Sequence, residues 1–193
     1  MDVFMEYLIK RKRDVKDNVI VALVIFAGII LTLILFVALF IMSLALVGSG
    51  NTASQFSSIF LGIGLLLIAG VWYGAYVLIN HRNIEYEYIL TNSDIDIDKI
   101  IAKKGRKRLI SFDFKDAELV ANINDDEHNS SYKSATEGIK MYDFTGNKNN
   151  GNIYFIDITI EGERSRILFQ PTSKMLESIK RFNPRKVFIK EDY

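Results

Sequence analysis

The sequence predicts a membrane α+β protein: an N-terminal hairpin of two transmembrane helices, then a seven-strand β-rich domain closed by a C-terminal helix. Three observations carry that expectation. From Asn18 to Asn80 a window of 63 residues holds no Asp, Glu, Lys, Arg or His, so all 24 Lys and Arg and all 23 Asp and Glu of the 193 residues lie outside it. From Ile84 onward apolar and polar residues alternate with the period of half-buried strands. After Pro171 the period becomes that of an amphipathic helix. This partition excludes a plain soluble globule, a disordered chain and a collagen-like or coiled-coil fibre. The lack of cysteine excludes a disulfide framework, a zinc ribbon and a thiol nucleophile.

Residues 1–18 form a basic segment carrying Lys10, Arg11, Lys12, Arg13 and Lys16. Within it Val3, Phe4, Tyr7 and Leu8 fall at helical spacing, which reads as an interfacial helix or as the first turn of the membrane helix. The hairpin occupies residues 19–80. Val19 to Val47 is an apolar run of 29 residues. As a helix it is roughly 43 Å long, more than the ~30 Å hydrocarbon core requires. It also exceeds the ~7–15 apolar residues of a signal peptide, which argues against cleavage. Gly48 to Ser58 is small and polar, as a tight surface loop requires, and Ile59 to Ile79 supplies the second span. Trp72, Tyr73 and Tyr76 lie toward its far end, where amphipathic rings favour the headgroup level.

Orientation follows from the basic residues flanking the spans. Lys10 to Lys16 precede the first, Arg82 follows the second, and the connection between them has none. A multi-pass protein of the cell membrane with both termini cytoplasmic is expected. Gly70-Val-Trp-Tyr-Gly74 has the small-xxx-small spacing that lets membrane helices approach closely, either between copies in a homo-oligomer or within one hairpin. Spans without an ionisable group carry no proton relay, ion site or voltage sensor, which disfavours a transporter.

The domain from residue 83 to 193 opens with Ile84-Glu-Tyr-Glu-Tyr-Ile-Leu90, whose Ile84, Tyr86, Tyr88 and Leu90 share one face of a strand. Thr91 to Asp94 is turn chemistry, Asp94 to Ile101 returns, and a basic turn through Gly105 leads into Arg106 to Asp113. Further strands are expected at Ala117 to Ile123, Gly138 to Phe144, Asn152 to Ile160 and Arg164 to Gln170. Met175, Leu176, Ile179 and Phe182 then fall on one helical face, and Pro184 ends the pattern.

This order of elements, about seven strands and one closing helix, resembles the pleckstrin-homology superfold. More narrowly, Asn83-Ile-Glu-Tyr-Glu-Tyr-Ile-Leu-Thr-Asn92, Ile97-Asp-Lys-Ile-Ile-Ala-Lys103, Arg106-Lys-Arg108 and Leu168-Phe-Gln-Pro-Thr-Ser-Lys-Met-Leu176 are similar to a family of two-pass bacterial membrane proteins of unknown function with a cytoplasmic pleckstrin-homology-like domain. The resemblance covers nearly the whole chain. It implies the fold and no catalytic residues, and fold analogy alone assigns no function.

Lys103, Lys104, Arg106, Lys107 and Arg108 form the densest basic patch of the domain, suited to anionic lipid or to a partner. The alternative is a solvated hairpin partly neutralised by Asp94, Asp96 and Asp98. With 19 basic and 19 acidic residues from His81 onward and no aromatic platform motif, nucleic-acid binding is not expected. Asp94-x-Asp-x-Asp98 begins like a calcium loop, but Lys99 stands where the turn needs Gly and Gly105 where a bidentate Glu belongs. Asp125-Asp-Glu-His128 gathers ligand types in a polar stretch read as a mobile loop, and Ser130-Ser-Tyr-Lys133 matches S-x-x-K by spelling only. No catalytic residue, metal site or cofactor is expected.

The function expected is that of a non-enzymatic, membrane-anchored adaptor at the cytoplasmic face, recognising a protein, a peptide or anionic lipid headgroups. Its default docking surfaces are the strand edges and the groove beside the closing helix. Arg164, Arg166, Lys180, Arg181, Arg185 and Lys186 give the last stretch a basic character suited to an acidic partner or to the inner leaflet. The alternative is an accessory or regulatory subunit of a membrane complex that binds through its hairpin.

Overall fold

The structure, a computed structural model, describes residues 2–46, 51–134, 138–147 and 152–190. The chain divides into two units. One joins the residues up to Lys12 with those from Asn83 onward, and the other runs from Arg13 to Arg82.

The second unit is a pair of helices, α1 (Val15–Leu46) and α2 (Asn51–Asn80). Both are long and apolar enough to cross a membrane, with mean hydropathy of 3.2 over the most apolar 18 residues within Val15–Ala45 and 2.0 over those within Ile59–Asn80. Most of their described apolar side chains are exposed, Phe36, Leu65, Leu66 and Tyr73 among them, while one stripe of α1 through Val21, Val24, Gly28, Leu35 and Leu39 is less so. Thr32 Oγ1 donates to Gly28 O (2.8 Å) and Ser43 Oγ to Phe40 O (2.7 Å), so these hydroxyls are satisfied by their own helix. The helices run antiparallel: Arg82, just past α2, lies 3.7 Å from Asp17 in the first turn of α1. Helix α2 begins at Asn51, ahead of the expected start at Ile59; Val47 of the expected first span and residues 48–50 of the expected loop lie outside the described residues.

In the first unit, β1 (Phe4–Lys10), β2 (Ile84–Thr91), β3 (Asp94–Ile101) and β4 (Gly105–Asp113) form an antiparallel sheet in the order β1-β2-β3-β4. A 3-10 turn at Phe114–Asp116 leads to the second sheet, made of β5 (Ala117–Asn122), β6 (Lys140–Asp143), β7 (Tyr154–Ile160) and β8 (Glu163–Phe169). Its order is β5-β7-β8-β6, with β6 parallel to β8. A short helix α3 (Asn129–Ser134) lies in the stretch expected to be loop, and α4 (Ser173–Phe182) closes the unit. Thr172 caps α4, its side chain accepting from Met175 N.

The alternation of β3 works as the sequence implies: Ile95 and Ile97 are fully buried, and Asp96 between them points to the other face. They join Tyr88, Leu90, Phe114, Ile156, Ile167, Phe169, Met175, Leu176 and Ile179 in one core shared by both sheets and α4. Tyr88 crosses that core. Its hydroxyl donates to Phe144 O (2.7 Å) and accepts from Gln170 N (3.2 Å). Burial pushes its pKa well above the ordinary phenol range, so it stays a neutral donor.

The first segment is a strand, not an interfacial helix. Residues 3–9 are apolar at nearly every position, so periods of 3.6 and of 2 both fit them; the partner decides. Phe4 to Lys10 pair antiparallel with Thr91 to Glu85, and Met5, Tyr7 and Ile9 turn toward the core. The β-domain therefore takes residues from both sides of the hairpin, not from 83–193 alone. Asn92, in the left-handed region (φ 54°), bonds Val3 through its side chain (2.9 Å) and its backbone N–H (2.8 Å). At the other end of β1, Lys12 N donates to Gly146 O (2.5 Å). A Cβ at Gly146 would lie 2.8 Å from the Lys10 carbonyl oxygen, so this approach of the second sheet to β1 requires glycine.

Candidate functional site

The β3–β4 turn reverses on residues other than its glycine. Ala102 (φ 53°) and Lys103 (φ 59°) take the left-handed conformation, Lys104 N closes the turn onto Ile101 O (3.1 Å), and Gly105 is already the first residue of β4. Holding Ala and Lys there costs roughly 1–2 kcal/mol each. Placement of the turn follows from strand register. Ile101 is opposite both Ile84 and Gly105, and Lys10 is opposite Glu85. Ala102 N also bonds Asn83 O (2.9 Å). The basic turn, the last residues of β1 and the first of β2 thus share one end of the first sheet, the end where the chain leaves for α1 and returns from α2.

The five cations of the patch separate into two sets. Arg106 lies 2.5 Å from Glu87 and 3.9 Å from Asp98, and Arg108 lies 2.8 Å from Asp96 and 3.3 Å from Asp98. Glu87 and Asp98 are only 7% and 3% exposed, so the two guanidinium groups cover carboxylates that would otherwise be buried and unpaired. The pairing depends on a bulge: the β3–β4 register shifts between Ile97 and Asp98, leaving Arg106 and Arg108 beside the acidic row while Ile110 and Phe112 turn into the core. Lys103, Lys104 and Lys107 are exposed and make no ion pair among the described residues. The three lysines are unpaired among the described residues, while Arg106 and Arg108 pair with carboxylates of the sheet and stay exposed, their side chains at 54% and 55%.

Gly70 and Gly74 are in the hairpin unit. A Cβ at either would meet nothing within 4 Å, whereas one at Gly64 would run into the Leu39 side chain, so Gly64 is where the two helices of one chain come closest to needing glycine. Gly70 and Gly74 instead line a groove of about 260 Å³ with Val24, Ala27, Gly28 and Leu31 of α1.

The remaining sequence candidates are structural. Asp125 Oδ2 bonds His128 Nδ1 (2.7 Å), and the His128 ring lies tilted against Phe188, centroids 4.1 Å apart, so these residues form a turn packed on Phe188. Among the described residues no group of three His, Cys, Asp or Glu could hold a metal ion. In the Ser130 to Lys133 stretch, the Ser131 and Tyr132 carbonyls accept from Arg166. Arg166, expected on a basic surface, is 1% exposed and forms a two-pronged pair with Asp157, both contacts at 2.6 Å. A cross-strand Asp–Arg pair on β7 and β8 (Asp157 opposite Arg166) was the available signal for this burial.

Two four-stranded sheets around a common core, closed by one helix, make the β-unit a pleckstrin-homology-like domain. The family model described as Bacterial PH-like domain (DUF6106) matches residues 1–189, and the chain belongs to that family. The match begins ahead of β1 and runs through both apolar helices, consistent with a two-pass membrane protein. No curated protein and no solved structure matches the chain. PH-like domains are typically non-catalytic, and the fold suggests a binding module.

Proposed function

We propose that this protein is a non-enzymatic binding module anchored in the cell membrane by α1 and α2, with its β-domain cytoplasmic and Lys103, Lys104 and Lys107 engaging anionic lipid headgroups. One observation carries the reading: β1 and β2 pair across the hairpin, so the lysine turn stands at the end of the sheet where the chain enters and leaves the two apolar helices. That pairing also requires both ends of the hairpin to lie on one side of a bilayer. Lys10, Arg11, Lys12, Arg13, Lys16 and Arg82 at those ends favour the cytoplasmic side. Anchorage raises the local concentration of the lysines at the leaflet, so weak individual contacts suffice.

The test is amine acetylation of the full-length protein in nanodiscs with and without anionic lipid, read residue by residue by mass spectrometry. A basic residue near an anionic leaflet gains about 1 kcal/mol, so each of the three lysines should react about fivefold more slowly with anionic lipid present. High salt should remove the difference. Equal rates in both lipids would refute the lipid reading.

A second reading, an accessory subunit bound through its hairpin, is favoured by the groove at Gly28, Gly70 and Gly74, which this chain's own helices leave unfilled. Leucine at both positions 70 and 74 is then expected to abolish co-purification of membrane partners, or of a second copy, without disturbing the β-domain. Retention of those partners by the double variant would exclude it.

A further inference from the structure

The outer edge of β5 is covered by the chain itself. Val120 N donates to Lys186 O (2.8 Å) and Phe188 N donates to Val120 O (2.8 Å), a parallel bridge between Val120 and Val187. The side chains alternate as on a strand. Val187 is 1% exposed and sits in the core, Phe188 turns outward onto His128, and Ile189 packs against the core again. Main-chain bonds to an edge combined with seats for alternate side chains are how an extended peptide adds to a sheet.

The segment is held by the bridge and by Val187 in the core, and the end of the helix before it has anchors of its own. Beyond the bridge, Lys190 makes two long contacts, N–H to Tyr154 Oη (3.3 Å) and Nζ to Asn124 O (3.4 Å). The end of α4 is secured separately: Asn183 Nδ2 donates to Phe114 O (2.9 Å) and to Ala117 O (3.2 Å). Pro184 follows at once and stops the segment from continuing the helix. These bonds of Asn183 tie the end of α4 to Phe114 and Ala117 without using residues 186–190.

We propose that the β5 edge is a peptide-docking site which the chain occupies in cis with Lys186 to Lys190, and that its occupant in trans is an extended segment of a protein partner with the same apolar–aromatic–apolar order as Val187-Phe188-Ile189. The segment then acts as a strap that keeps the edge closed until a better-fitting strand displaces it. This site is distinct from the lysine turn, and its test does not depend on lipid.

The experiment compares the full-length protein with a variant ending at Asn183, both in nanodiscs, titrated with a fluorescent peptide spanning Pro184 to Lys190. The shortened protein should keep its circular dichroism and cooperative unfolding and bind the peptide saturably. A tethered segment competes at an effective concentration on the order of millimolar, so the full-length protein should bind about tenfold more weakly or worse. A peptide carrying Val187→Asp should not bind. The proposal is overturned if the shortened protein unfolds, if it folds and does not bind the peptide, or if both proteins bind it equally.

Discussion

Replacing Arg166 with alanine is expected to cost about 3–5 kcal/mol of stability, the range for removing one partner of a buried ion pair. The side chain is 1% exposed and its partner Asp157 is 20% exposed, so little water reaches the pair to soften the loss. Two further acceptors would be stranded, the carbonyl oxygens of Tyr132 (2.6 Å) and Ser131 (3.2 Å). The guanidinium carbon also stands 5.0 Å from the Phe155 ring centroid and 5.4 Å from that of Tyr132, which adds cation–π attraction in a desolvated setting. Arg166 is thus what fastens α3 to β7 and β8. Removing Asp157 as well should restore only part of the loss, since the two carbonyls stay unbonded at about 1–3 kcal/mol. Arg164 on the same strand is 72% exposed and 3.9 Å from Glu118, and its alanine variant should lie within about 1 kcal/mol of the parent. Denaturant unfolding of the three single and double variants in detergent reads these values directly. An Arg166 variant as stable as the parent would mean that the buried pair does not hold α3.

Deleting β1, residues 2 to 10, should abolish the β-domain. Seven register pairs to β2 would go, together with Val3, Met5, Tyr7 and Ile9, which pack partly buried against the core. Full burial of one such side chain is worth about 1.5–3 kcal/mol, and four half-buried ones approach the 5–15 kcal/mol that holds an ordinary domain together. The deletion would also strip cover from Tyr88 and open the β2 edge to aggregation. A fragment comprising residues 83–193 alone should fail for the same reason, whereas a chain with residues 13–82 replaced by a short flexible linker should fold. Circular dichroism and size exclusion distinguish the cases. A well-folded, monomeric 83–193 fragment would show that β1 is dispensable.

Much of the architecture is legible in the sequence because its signals are local. The charge-free window needs only composition, β3 declares itself by Asp and Ile in strict alternation, and α4 by its change of period between Pro171 and Pro184. What is hidden depends on partners far away in the chain. β1 pairs with a strand more than seventy residues later, and nothing within residues 3–9 distinguishes strand from helix. The turn at Ala102 and Lys103 is hidden because the neighbouring Gly105 attracts the turn assignment that it does not need. The basic patch is visible as composition, but its division is not. Arg106 and Arg108 are taken by Glu87, Asp96 and Asp98 through a bulge that no spacing rule reveals. Arg166 looks like surface charge until α3 is laid over it.

The central claim is that the hairpin interrupts the first sheet, so that β1 and β2 are adjacent although α1 and α2 separate them in sequence. The chain has no cysteine, so an introduced pair reports without background. Glu6 and Ile89 face each other in the register, and the Arg11 N to Ile84 O bond places them at a non-hydrogen-bonded pair, where Cα atoms stand about 4.5 Å apart, within disulfide range. The full-length double variant Glu6→Cys, Ile89→Cys should lose both free thiols on mild oxidation in native membranes, as an intramolecular bond counted by alkylation and mass spectrometry. If both thiols remain free, or if they cross-link only between molecules, the hairpin is not an insertion between paired strands, and the lysine turn no longer shares the sheet end at which the chain leaves for α1 and returns from α2.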